Sequence, residues 1–94
     1  MEIYKMLVLS TSHVSKETAK LLDRDNVGVV VYPKSEYGWF IVATDWDEHE
    51  NIPDDLQKCL ELTEQLGCDW LCLDCDGECV PELPTYNGKR IYVF

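Results

Sequence analysis

The apolar positions along the chain predict four strands. Residues 4–10 form a short apolar run bounded by polar residues, and residues 27–32 are rich in β-branched side chains, so each segment is predicted to be a strand. A turn at residues 33–36 precedes another apolar run at residues 37–44, which predicts a β-hairpin. Residues 70–74 are predicted to form the fourth strand.

Two helices are predicted between these strands. Ser15 is a candidate N-cap for a helix that ends near Leu22. Pro53 suits the first position of a second helix, whose apolar residues recur on one stripe and which ends before Gly67.

The order β-α-β-β-α-β predicts an α+β fold of the ferredoxin-like split type. In that fold the sheet is antiparallel, with strand order 4-1-3-2, and both helices lie on one face. The Asn87-Gly88 pair is a hairpin signal, and it predicts a short additional edge strand at residues 89–94.

The composition fits one small domain that spans residues 1–94. The chain has 94 residues, 46% of them hydrophobic, which is enough for one core. Its longest apolar run, residues 6–9, is too short to span a bilayer, and the first residues do not resemble a secretory signal. We therefore expect a cytoplasmic protein without membrane contact, whose five cysteines are reduced. The oligomeric state is left open.

The net charge of −10 is unevenly distributed. Residues 36–82 carry fourteen acidic residues, and Lys58 is their only lysine or arginine. Such a field disfavours direct binding to nucleic acid or anionic lipid, because affinity for phosphate needs clustered lysine and arginine. A protein partner with a basic surface, or a cation, is expected instead.

The predicted sheet places this charge at one end of the molecule. In the 4-1-3-2 order, the C-terminal ends of strands three and four lie at the same edge, so the acidic residues that follow them are expected to form one acidic pole. The predicted partner-binding residues of this pole are Asp45, Trp46, Asp47, Glu48, Glu50, Asp74, Asp76 and Glu78. Trp46 is predicted to be an exposed aromatic anchor.

The cysteines offer an alternative chemistry. Cys68, Cys72, Cys75 and Cys79 are candidate ligands of a four-cysteine zinc site. Alternation along a strand places Cys68 and Cys72 on one face and Cys75 on the other, which disfavours convergence on one metal. The expectation is therefore that no cofactor is needed, and zinc is the cofactor of the alternative.

Residues 70–77 form an apolar strand that ends in Asp-x-Asp-Gly, which resembles the first motif of haloacid-dehalogenase-type phosphotransferases. The resemblance implies that Asp74 is a nucleophile and Asp76 a general acid/base in Mg²⁺-dependent phosphoryl transfer. That motif opens the family's domain, whereas here it lies late in the chain, and an Asp-Gly turn also explains the pattern. No catalytic residue is assigned. His13, beside Ser12, is expected to form loop hydrogen bonds.

A second resemblance spans most of the chain. Residues 6–19, 36–40, 67–77 and 83–86 resemble a family of small acidic bacterial proteins, filed as a domain of unknown function and found on plasmids, phages and integrative elements. The resemblance implies a genomic setting and no activity. We expect a non-enzymatic interaction module that binds a basic, nucleic-acid-binding protein. The alternative is a zinc-binding or Mg²⁺-dependent phosphoryl-transfer module at residues 74–79.

Overall fold

The structure, a computed structural model, describes residues 1–47 and 50–86. Its elements are β1 (Met6–Ser10), a 3-10 turn (Thr11–His13), α1 (Lys16–Asp23), β2 (Val31–Lys34), β3 (Gly38–Val42), α2 (Asp54–Gln65) and β4 (Trp70–Asp74). The predicted α+β class is confirmed. Neither described helix has the length and apolarity needed to cross a membrane. The edge strand predicted at residues 89–94 lies outside the described residues.

The helices begin and end where the sequence predicts. The Ser15 hydroxyl accepts a hydrogen bond from the Thr18 N–H (3.2 Å) and so caps α1. Pro53 occupies the N-cap position of α2, which has no side-chain cap, and the first turn carries two aspartates that favour its positive end. The chain leaves α2 through Gly67, whose φ of +71° suits a residue without a Cβ.

The strand order differs from the predicted one. The sheet runs β1-β4-β3-β2, with β1 and β4 parallel and the other two pairs antiparallel. The predicted order 4-1-3-2 and the predicted all-antiparallel sheet are therefore wrong. The reason is burial. β4 is the more buried strand, since Leu71 and Leu73 are fully buried on the helix-covered face and Cys72 is only 1% exposed on the other, whereas Met6 and Val8 of β1 are 42% and 47% exposed. The more buried strand is central and β1 takes the edge.

Both helices pack on the same face of the sheet. Leucines of α2, Leu22 of α1 and alternate residues of the strands share one buried cluster, in which each leucine contributes about 1.5–3 kcal/mol. The cluster comprises Leu9, Val14, Leu22, Ile41, Ala43, Ile52, Leu56, Cys59, Leu60, Leu71, Leu73 and Leu83. Polar contacts also join the helices, because Asp55 of α2 accepts hydrogen bonds from the Ser15 N–H (2.7 Å) and the Thr18 hydroxyl (2.7 Å).

The opposite face of the sheet is apolar but has no helix on it. We call it the open face; its apolar residues are Met6, Val8, Val30, Tyr32, Phe40, Val42, Trp70 and Cys72. These residues alternate along the strands with those of the core face. The rings of Tyr32 and Trp70 confirm the shared face, because their centroids lie 6.0 Å apart.

Candidate functional site

Polar residues gather at one end of the sheet, along the edge that the ends of the four strands form. The strand register places Ser10, Asp74, Gly38 and Lys34 in one row across all four strands. The 3-10 turn after β1, the β2–β3 turn and the segment after β4 all begin at this row. We call this region the polar edge; it consists of residues 10–15, 34–38 and 74–79.

An ion pair crosses β3 at the polar edge. The Lys34 Nζ binds the Asp74 Oδ2, although the two residues lie on strands about 10 Å apart. Gly38 lies between them and has no side chain to obstruct the contact; a Cβ there would be 1.7 Å from the Leu73 carbonyl oxygen. The hydrogen bond from Lys34 lowers the pKa of Asp74, and the same bond raises the pKa of Lys34.

The second oxygen of Asp74 holds the following turn. Its Oδ1 accepts a hydrogen bond from the Asp76 N–H (2.8 Å). Gly77 then passes so close to β1 that a Cβ would lie 2.4 Å from the Leu9 carbonyl oxygen, and the Ser10 N–H donates to the Glu78 carbonyl (2.9 Å). Both oxygens of Asp74 therefore bind donors of the protein itself, which favours a structural role over that of a nucleophile.

His13 fixes the segment that follows the polar edge. Its Nε2 accepts a hydrogen bond from the Val80 N–H (3.0 Å), so its Nδ1 carries the proton and donates to the Pro84 carbonyl (2.9 Å). The side chain is 1% exposed. The predicted loop hydrogen bonding is confirmed. Ser12 does not bond to the imidazole and instead contacts the Cys79 Sγ (3.2 Å). No local pattern indicates that His13 reaches residues this distant in the chain.

The structure does not bring the four candidate zinc ligands together. Cys68 precedes β4 and Cys75 follows it, and the strand between them alone spans about 13 Å. Among the described residues, the group of potential ligand atoms that does lie together consists of Asp74, Cys75 and Asp76, within 4.8 Å of one another. Partial desolvation of this exposed residue, and then the charge of Asp76, raise the pKa of Cys75, so that its thiol is protonated at neutral pH.

The predicted acidic pole is divided between two edges of the sheet. β3 and β4 are antiparallel neighbours, and Val42 at the end of β3 pairs with Trp70 at the start of β4. The residues that follow β3 therefore lie at the edge opposite to Asp74, Asp76 and Glu78. The exposed members at that far edge are Asp45, Asp47 and Glu50, and Glu48 lies outside the described residues.

Trp46 is not the exposed anchor that the sequence predicted. It is half-buried and packs against the core cluster. Its indole N–H is buried and has no acceptor among the described residues. Together with Val30 and Val42 it lines a small cavity of about 230 Å³ at the far edge. The flanking aspartates suggested a solvated loop, but a tryptophan can bury its ring while its neighbours remain exposed.

A cleft of about 430 Å³ lies between α1 and the β2–β3 turn, next to the polar edge. Two acids, Asp23 and Glu36, one base, Lys16, and two aromatic residues, Tyr37 and Trp39, line it together with serine and threonine residues. The Trp39 Nε1–H donates to the Asp23 Oδ1 (3.0 Å). Carboxylates beside aromatic rings suit a cationic side chain. Sequence reasoning missed the cleft, because nothing local indicates that α1 faces the hairpin.

Comparison with known proteins identifies a family whose function is unknown. The profile described as "Family of unknown function (DUF5983) C-terminal domain" matches residues 6–88. The match includes every described strand and helix and the whole polar edge. No curated protein and no solved structure matches the chain.

Proposed function

The chain belongs to the DUF5983 family, which has no known function, and we propose that it is a non-enzymatic module that binds a basic protein. The observation that carries the proposal is the cleft beside the polar edge, where Asp23 and Glu36 stand with Tyr37 and Trp39. A lysine or arginine side chain of the partner would enter this cleft, pair with the carboxylates and lie against the rings.

The surroundings of the cleft support this choice of partner. Asp76 and Glu78 are exposed at the neighbouring polar edge. Lys34 is already paired with Asp74, so it does not neutralise Glu36 or Asp76, and Lys16 is the one cation among the described residues that line the cleft. The chain as a whole carries a charge of −10, which accelerates encounters with cations and repels phosphates. These facts support a basic protein as the partner and disfavour nucleic acid itself.

The proposed partner is a nucleic-acid-binding protein, which we place with this chain in the cytoplasm. Proteins that bind nucleic acids expose clustered lysine and arginine, the chemistry that the cleft and its acidic rim complement. The resemblance to acidic proteins of plasmids and phages supports a role in modulating such a host protein. Two acidic surfaces, at opposite edges of the sheet, replace the single pole, and we propose the polar edge as the binding end because the cleft adjoins it.

Titration of a fluorescently labelled arginine-rich peptide tests the proposal. We expect binding, measured by fluorescence anisotropy, to weaken as salt is raised, because the contacts are charge pairs at the surface. The charge reversal Glu36→Lys is expected to weaken binding about 5–10-fold, equivalent to about 1 kcal/mol. The matched control is Glu61→Lys on the exposed side of α2, which changes the net charge equally and is expected to weaken binding about 2-fold or less.

Two results would contradict this function. Equal losses from Glu36→Lys and Glu61→Lys would show that net charge alone attracts the peptide and that the cleft is not its site. Binding that does not respond to salt would show that charge pairing is not the basis of recognition.

One observation supports the alternative module at residues 74–79. The ligand atoms of Asp74, Cys75 and Asp76 lie within 4.8 Å of one another, as a metal site requires. The engagement of both Asp74 oxygens by Lys34 and Asp76 weighs against it. Elemental analysis of protein purified without chelator separates the proposals: stoichiometric zinc that is lost in Asp76→Asn would favour the metal module.

A further inference from the structure

We propose that the open face is a dimer interface, on which a second copy of the chain packs sheet to sheet. The face gathers four of the nine exposed large apolar residues of the described surface; the others are Met1, Ile3, Tyr4, Tyr37 and Leu66. Met6, Val8, Val30 and Tyr32 are each 42–51% exposed on it, although the protein is otherwise strongly acidic. A contiguous apolar surface of this kind is typical of a binding site on a small protein.

The strand register arranges this face in three rows. Each row has one residue from each strand, in the order β1, β4, β3, β2. The rows are Met6–Trp70–Val42–Val30, then Val8–Cys72–Phe40–Tyr32, and then Ser10–Asp74–Gly38–Lys34 at the polar edge. Two rows are entirely apolar, and the third contains the only charges of the face among the described residues.

This arrangement is complementary to itself. A twofold axis that lies in the interface, parallel to the strands and midway between β3 and β4, places β1 over β2 of the second copy and β4 over β3. Each large apolar residue then faces a smaller one: Met6 faces Val30, Trp70 faces Val42, Tyr32 faces Val8 and Phe40 faces Cys72. The usual angle of about 30° between packed sheets shifts the two outer pairs and keeps the two central ones, Trp70 with Val42 and Phe40 with Cys72, in place.

The charges fit the same arrangement. Asp74 faces Gly38 of the second copy and Lys34 faces Ser10, so no charge directly opposes a like charge. Within each copy Lys34 and Asp74 remain paired, which limits the cost of removing them from water. Gly38 is the one position of the third row without a side chain, and under this symmetry it faces the Asp74 carboxylate of the second copy and leaves room for it.

The size of the face predicts a weak dimer. Four strands about 4.8 Å apart and five residues long give a flat footprint of roughly 19 by 17 Å. The area of this footprint is smaller than the ~800 Å² that each partner buries in a standard interface, even when the additional surface of the protruding side chains is counted. We therefore expect a dissociation constant in the micromolar range or above. Each copy carries −10, and the repulsion between copies weakens the dimer further at low salt.

Sedimentation velocity at rising protein concentration tests the proposal. We expect the 10.9 kDa chain to pass from monomer to dimer, and the dimer fraction to increase with salt, because salt screens the repulsion. Val8→Asp is expected to weaken the dimer at least 10-fold. Leu66→Asp is the matched control: Leu66 is 55% exposed at the end of α2, away from the open face, and should leave the dimer unchanged.

Cysteine cross-linking tests the orientation. Positions 8 and 32 lie on the two edge strands of one chain, about 14 Å apart, but face each other across the proposed interface. In a background with alanine at Cys72 and serine at Cys75 and Cys79, the double variant Val8→Cys/Tyr32→Cys is expected to form covalent dimers with a short bismaleimide cross-linker, because facing residues of packed sheets lie about 10 Å apart. Either single variant places its new cysteines too far apart and should not.

A chain that stays monomeric at every protein and salt concentration overturns the proposal. That holds whether the face is exposed in the monomer or is covered by other residues of the same chain. A dimer that survives Val8→Asp, or that cross-links equally well through the single variants, also overturns it. These outcomes are independent of peptide binding at the cleft, since the residues differ and the two associations respond to salt in opposite directions.

Discussion

At the scale of single residues, the cysteines differ most in their surroundings. Cys59 is fully buried, and burial, followed by the charge of Asp55, raises the pKa of its thiol to about 12. Cys75 and Cys79 are exposed at the polar edge. Among the four candidate zinc ligands, Cys72 is 1% exposed, Cys68 is half-buried, and Cys75 and Cys79 are exposed, so these thiols also have different surroundings.

The buried thiol of Cys59 predicts a loss of stability at alkaline pH. Its pKa rises from 9.0 to about 12 on folding, so above pH 9 the unfolded chain ionises this thiol while the folded protein keeps it protonated. We expect this residue to lower the free energy of unfolding by roughly 1 kcal/mol at pH 10 relative to pH 7. Denaturant unfolding across this pH range should show a shallower decline in Cys59→Ala.

Leu60, an equally buried residue of α2 without a titratable group, provides the comparison, since Leu60→Ala should lower the stability but retain the wild-type decline with pH. Parallel declines in the wild type and in Cys59→Ala would show that this thiol does not govern the alkaline behaviour.

The ion pair between Lys34 and Asp74 predicts the opposite dependence at acid pH. The pKa of Asp74 is lower in the folded protein than in the unfolded chain, so the pair stabilises the fold above the usual aspartate pKa of about 3.9 and loses this effect as pH falls through the folded value. Lys34→Met should therefore be less stable than wild type at pH 7, and the difference should narrow in acid. Lys58→Met, on the exposed side of α2, is the control; a constant difference would contradict the assignment.

At the scale of elements, one buried carboxylate joins the starts of both helices. Asp55 lies in the first turn of α2 and is 8% exposed. Besides its bonds from Ser15 and Thr18 of α1, it accepts the Leu56 N–H (2.8 Å). The cap of one helix is thereby coupled to the first turn of the other, a contact between residues 40 positions apart that no local pattern announces.

Removal of the Asp55 carboxylate should break the polar contacts between the two helices and lower the stability of the fold. Asp55→Ala leaves the Ser15 N–H and the Thr18 hydroxyl without an acceptor, and we expect it to lower the free energy of unfolding by about 2–4 kcal/mol. Thr18→Val removes one donor only and should cost about 1–2 kcal/mol. Asp54→Ala, an exposed neighbour in the same turn, should cost less than about 1 kcal/mol by chemical denaturation. Equal losses at positions 54 and 55 would contradict the role of the buried contacts.

At the scale of the whole molecule, the sequence predicted the elements and not their arrangement. Ser15, Pro53 and Gly67 mark helix ends through local chemistry, so these positions were predictable. Strand order depends on which strand is the more buried. The unbroken apolar run from Trp70 to Leu73 fits the central strand, but the equally unbroken run from Met6 to Leu9 forms the edge strand β1, so the local pattern did not decide the order. The cleft combines α1 with the β2–β3 turn and could be found only once the order was known.

The pairing of β1 with β4 determines when the sheet can form during synthesis of the chain. Met6 pairs with Trp70, about sixty residues later, while the β2–β3 hairpin closes within a dozen residues. At roughly 5–20 residues per second, the first strand leaves the ribosome several seconds before its neighbour in the sheet exists. During that interval the apolar segment of β1 in the nascent chain has no neighbouring strand to pair with. The sheet is complete only after residue 74 has been made.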